Sequence, residues 1–99
     1  MRIEIIEVLQ RARDLLREDN VALRGDMHNG KLCTTLAISE ASNFARNLDG
    51  AMTMFIECIK VFKRANGIMT MPKWHDEQWS LAAIHAAFDR AIRFEKESE

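Results

Sequence analysis

The ten residues MPKWHDEQWS, 71–80, gather the chain's single proline, both of its tryptophans, a histidine and two carboxylates just before a long run of helix formers. How this stretch is read decides how the last helix meets the rest of the chain. The residue before a proline is pushed out of the α region, which predicts an extended connector over residues 68–74. Ser80 then stands ready to cap a final helix with Leu81, Ile84, Phe88, Ala91 and Ile92 on its inner face, and Asp76 is a competing cap one turn earlier. Tryptophan is costly to leave in water and its indole N–H seeks a partner when buried. Trp74 and Trp79 are therefore expected to clamp the connector onto the helices, with His75 facing solvent and Asp76 serving a helix start, where negative charge suits the dipole.

Upstream of the connector, Asn66-Gly67 reads as the C-terminal stop of a helix capped by Asp49, with an inner stripe of Met52, Phe55, Ile56, Ile59 and Phe62. This is the most hydrophobic segment and is expected to lie centrally. Before it, Thr34 or Thr35 can cap a helix running to about Asn47, with Ala37, Ala41, Phe44, Ala45 and Leu48 inside. At the N-terminus, Ile5, Val8, Leu9, Ala12, Leu15 and Leu16 recur at helical spacing between Ile3 and Glu18. Between the first two helices, Asn29-Gly30 suits a type I′ turn and predicts a short hairpin with strands near residues 22–28 and 31–34. Gly25 and Asp26 are poor strand residues, so an irregular loop stays open as the rival. The expected architecture is mainly α: a compact four-helix bundle with short connections, plus that hairpin. Alanines at 82, 83, 86, 87 and 91 allow either close helix approach or a dimer seam.

Ninety-nine residues suit one domain, 1–99, and a composition of 47% hydrophobic and 29% charged residues is that of a folded chain. A core of this size stabilises modestly, which favours homodimerisation. The net charge of −1 gives no general attraction for nucleic acid. Residues 51–73 carry a net +3 and residues 74–99 a net −3, and the two are expected to lie together and partly neutralise. Acids within the first apolar residues argue against a secretory signal, and no apolar run approaches the roughly 18–20 residues that span a bilayer. A cytoplasmic protein with reduced, buried Cys33 and Cys58 is expected.

Chemistry-bearing side chains are few. His28, Cys33, His75 and Asp76, with Asp26 and His85, supply the residue types of a zinc or small-ligand site, but no CxxC, HxxxH or HExxH spacing. No serine sits on a nucleophile elbow, and four scattered glycines form neither a Walker loop nor a dinucleotide fingerprint. The pattern designates no catalytic residue, no metal ligand set and no cofactor. His85, on the flank of the last apolar stripe, reads as a packed histidine. Lys60, Lys63 and Arg64 share one helix face, with Lys73 beyond, and form a basic patch that reads as a solvated surface before it reads as a nucleic-acid site.

Gly30, Cys33 and Ala37, then Trp74, His75 and Asp76, then Ser80, resemble an uncharacterised family of small bacterial and phage proteins. In that family a Gly-x-x-Cys stretch enters an alanine-containing helix, and a Trp-Asn-Asp motif precedes the capped final helix. The chain departs from it with His75 in place of the asparagine and with Trp79 before the cap. The resemblance implies a bacterial or phage gene product and carries no activity. With six methionines and a surplus of aromatic side chains for a small core, the expected function is a non-enzymatic protein-interaction module. Trp74, His75, Asp76, Trp79, His28 and Cys33 are its candidate contact residues. Two alternatives stand beside it: a phage-type accessory factor that inhibits a host or defence complex, and an enzyme or ligand site around His28, Cys33, His75 and Asp76.

Overall fold

The computed structural model describes residues 1–26, 30–45 and 48–98, the side chains of residues 44, 45, 48 and 49 excepted. Its helices, in chain order, are α1 (Ile3–Leu15), α2 (Thr34–Ala45), α3 (Leu48–Asn66), α4 (Met71–Asp76) and α5 (Leu81–Glu97). The chain is mainly helical as expected, with a fifth, short helix in place of the extended connector. Asp49 lies within α3 instead of before it, and its capping role falls outside the described residues.

α1 buries Ile5, Ile6, Val8, Leu9 and Ala12 and stops three residues short of Glu18. The stop has a cause in Asn20, whose amide Nδ2 donates to the Leu15 carbonyl at 2.8 Å and whose Oδ1 accepts the Arg17 N–H at 2.8 Å. The last carbonyl of the helix is thereby satisfied from outside it. Leu16 turns to an extended conformation, yet its side chain stays in the core.

The described residues argue against the expected hairpin, whose turn residue Asn29 lies outside them. Among the described residues there is no strand, only a bridge between Val21 and Leu32, and it is parallel. Leu32 N–H donates to Asn20 O at 2.7 Å and Ala22 N–H to Leu32 O at 2.9 Å. A two-residue turn cannot join parallel segments. The intervening chain instead passes through Gly25 and Gly30, whose φ values of 87° and 70° only glycine adopts without strain. Asp26 Oδ2 accepts the Leu23 N–H at 2.9 Å, which ties the loop to itself.

α3 is rotated relative to the expected stripe. Its buried residues are Ala51, Met54, Cys58, Val61 and Phe62, whereas Met52 is 66% and Ile56 44% exposed, with Phe55 and Ile59 half-buried. Both arcs are apolar, so periodicity alone could not choose between them. Its C-terminus matches the expected stop: Gly67 has φ 63° and Ile68 N–H donates back to Lys63 O at 3.0 Å, a Schellman closure. Asn66 then bonds across to α5, donating to Ala87 O at 3.0 Å and accepting from Arg90 Nε at 2.7 Å.

Thr70 is extended, as expected of residues 68–74, but α4 begins at once after it with Pro72 in its first turn, where the missing N–H costs nothing. Ser80 caps α5 as expected, accepting the Ala83 N–H at 3.2 Å. α5 buries all five expected residues and adds Ala87 and Glu95. Of the alanines, Ala87 and Ala91 serve helix approach inside the chain and Ala82 faces out. Phe62 packs edge-on against Phe88 at 4.8 Å and Trp74 at 5.3 Å, which joins α3, α4 and α5 in one aromatic cluster.

The carboxylates Asp89 and Glu95 of α5 are met by the first helix and its cap, not by the cations of residues 51–73. Asp89 lies 2.9 Å from Arg13 Nε. Glu95 is 3% exposed and accepts Arg2 N–H at 2.8 Å and Arg2 NH2 at 3.1 Å, while Arg2 NH1 reaches Glu57 at 3.2 Å. Burial opposes ionisation of Glu95, but the Arg2 side-chain and backbone hydrogen bonds and charge outweigh it and hold the carboxyl below its usual range. The stabilisation is present above the unfolded-state value of about 4.3 and is lost as pH falls through the lowered folded value. Glu95→Gln should cost about 1.5 kcal/mol at pH 7, the low end for a charged hydrogen bond because Arg2 is half exposed. Urea titrations at neutral and acid pH should show the variant and the parent converging below about pH 4; a pH-independent difference would refute the ion pair.

Candidate functional site

His75 was expected in solvent and is 2% exposed. Its Nδ1 accepts the Thr34 backbone N–H at 3.1 Å and lies 2.6 Å from Thr34 Oγ1. Nε2 is 2.5 Å from Ala22 O. A backbone N–H can only donate and a carbonyl can only accept, so the two partners assign the neutral tautomer with the proton on Nε2. The ring bridges α4, the segment after α1 and the first residue of α2. Cys33 reaches the same helix end: it occupies the N-cap, its Sγ accepts the Leu36 N–H at 3.4 Å, and its carbonyl accepts the Ala37 N–H at 3.0 Å. Neither Thr34 nor Thr35 is the cap. Thr34 is fully buried as the partner of His75.

Cys33 and His75 are thus brought to one place, but by the needs of a helix terminus. His28 lies outside the described residues. Among the described residues no group of three or more His, Cys, Asp or Glu side chains is arranged to hold a metal ion. His85 Nε2 sits 2.9 Å from Leu16 O, a packed histidine as expected. Asp76 closes α4 on its exposed side and caps neither helix. Trp74 is half-buried on Phe62, as the clamp requires. Trp79 is not a clamp: it is 71% exposed, with the Arg24 guanidinium stacked 4.5 Å from its ring centre. Arg24 N–H donates to Gln78 O at 2.8 Å, so the backbone brings that cation to the indole. Cys58 is buried on the far side of α3, and burial pushes its thiol up to about 12. A thiol reagent at pH 8 should modify Cys33 in the folded protein and Cys58 only on unfolding; equal rates would contradict this packing.

The residues missed by sequence reasoning lie on the outer arc of α3. Two apolar hollows meet at Phe55. One, of about 290 Å³, is lined by Ser39, Asn43, Ala51, Met52 and Phe55. The other, of about 250 Å³, lies among Thr35, Phe55, Ile56, Ile59, Met71 and Pro72, with Lys60 and Lys63 on its edge. Thr35, Ser39 and Asn43 are spaced four apart along one edge of α2, and Met52, Phe55, Ile56 and Ile59 follow the facing edge of α3. The result is a groove between α2 and α3, closed at one end by the start of α4. From Met52 to Lys63 it runs about 16 Å, at 1.5 Å per residue. Of the basic patch, Lys60 and Lys63 border the groove and exposed Lys73 follows Pro72, while Arg64 is exposed but does not line it. A second apolar stripe beside the core stripe was the available signal for this surface.

Comparison with protein-family models, with curated proteins and with solved structures returned no match.

His75→Ala leaves a buried N–H and a buried carbonyl without that ring and opens a cavity, so it should cost about 2–5 kcal/mol. His75→Asn, whose side-chain oxygen can replace Nδ1 but whose amide falls short of Ala22, should lose less. Urea denaturation measures both, and a loss below about 1 kcal/mol for the alanine variant would show that the junction does not hold the fold.

Proposed function

We propose that this chain is a non-enzymatic protein-interaction module whose binding surface is the groove between α2 and α3. One observation carries the reading. Met52 and Ile56 stand exposed, beside half-buried Phe55 and Ile59, in a concave track, although the same helix already buries a complete apolar stripe on its other side. Single exposed apolar residues are ordinary, but a contiguous concave set is the form that partner sites take. The histidine and thiol that would serve an active site are engaged elsewhere: both ring nitrogens of His75 face main-chain groups, and Cys33 caps a helix. The resemblance to small bacterial and phage proteins makes an accessory factor acting on a host complex the narrower form of the same reading.

Ile56→Asp is the test, because it places a charge on the groove wall where the side chain is not part of the core. The variant should keep the parent's melting temperature while losing the proteins that the parent retains from a bacterial lysate, as quantified by mass spectrometry. Equal recovery by parent and variant would remove the groove as the binding surface.

A further inference from the structure

Resting on that reading of the groove, we infer that its occupant is an acidic amphipathic helix of a partner protein, seated with its apolar side on Phe55 and Ile59 and its carboxylates on Lys60, Lys63 and Lys73. The shape sets the length: a track of about 16 Å receives about 11 residues, or three turns, of helix. The apolar positions of such a segment recur at i, i+3, i+4 and i+7, which is how a helix lies in a groove. The charge sets the chemistry. Lys60 and Lys63 edge the apolar hollow, Lys73 follows Pro72 beside it, and among the described residues no acid pairs with Lys63 or Lys73. Glu57 approaches only Lys60, at 3.5 Å, and is itself shared with Arg2. A cationic end to an apolar floor steers and orients a partner of the opposite sign.

The same charge disfavours the other occupants. A second copy docked groove to groove about a two-fold axis would offer Lys60 and Lys63 no carboxylate from the facing groove, because such an interface joins the same patch on both copies and none lines either hollow. A membrane would meet a concave floor instead of a protruding one. Nucleic acid would find its phosphates attracted at one end only, over an apolar floor whose one aromatic side chain, Phe55, is half-buried.

The experiment is a selection from a displayed library of random peptides of about 16 residues, long enough to cover three turns with flanks. It uses the full chain, and in parallel Lys60→Glu/Lys63→Glu and Ile56→Asp, each first shown to keep its helical circular dichroism and melting temperature. The expected result is enrichment of net-acidic peptides with helical apolar spacing. Their fluorescence anisotropy should show binding weakened about tenfold or more by the double lysine reversal and by added salt. Enriched peptides without charge preference, bound equally by the lysine variant but not by Ile56→Asp, would overturn the acidic occupant and leave the groove reading standing. Peptides indifferent to Ile56→Asp, or no enrichment, would overturn both. A dimer in light scattering that Ile56→Asp dissolves would assign the groove to a second copy. Displacement of the peptide by single-stranded DNA or anionic vesicles at low micromolar concentration would assign it to those partners, and either result overturns the acidic helix.

Discussion

The imidazole of His75 bonds main-chain groups of two other segments at once, and the arrangement of the helices depends on it. Buried N–H and C=O groups must be paired, and the chain between α1 and α2 is too irregular to pair all of its own. Ala22 O and Thr34 N–H are left over by the parallel bridge at Val21 and Leu32 and by the start of α2. A neutral imidazole is the one side chain that offers an acceptor and a donor on opposite sides of a rigid ring, so it fills both needs from a single position on α4. This accounts for α4 being helical: the first turn after Pro72 carries His75 inward while Trp74 packs on Phe62.

A second tie of the same kind holds the chain ends of the helices. Glu95 accepts the N–H of Arg2, the residue that precedes α1, and also its guanidinium. A carboxylate at the start of a helix satisfies an otherwise orphaned donor and opposes the positive end of the dipole. α1 and α5 are thereby fixed end to end as well as side to side, with Arg13 and Asp89 meeting further along. Two carboxylates of the last segment, Glu95 and Asp89, thus pair with the first helix and its cap and not with the lysines of α3 and α4.

α3 is the element where structure and surface meet. An amphipathic helix ordinarily has one apolar arc, and a helix apolar on more than one side either lies fully inside or has a partner. α3 touches α1, α2 and α5 with one arc and presents the other beside α2. The consequence is a groove with a well-packed back, formed by helices that other contacts already hold in place, which lowers the ordering cost of receiving a ligand.

The local codes were legible. The stripes of α1 and α5, the Ser80 cap and the Gly67 closure follow from spacing and from single-residue conformational preferences, which act within a turn or two of helix. Four features were not legible: the parallel bridge, the Cys33 cap, the burial of His75 and the facing of α3. The Cys33 cap is local, formed with Leu36 three residues on; the other three depend on groups distant in sequence. Thr34 and His75 are 41 residues apart, and whether an imidazole lies in water or bridges two backbones is decided by what the other segments leave unpaired. Two apolar arcs on α3 were equally good by pattern, and only packing against α1, α2 and α5 determined which became core and which became surface. Sequence alone therefore determined that four long helices form and, to within a turn, where; tertiary structure decided α4, the early stop of α1 and which way the helices face, because hydrogen-bond satisfaction and burial are properties of the assembled chain and not of any one segment.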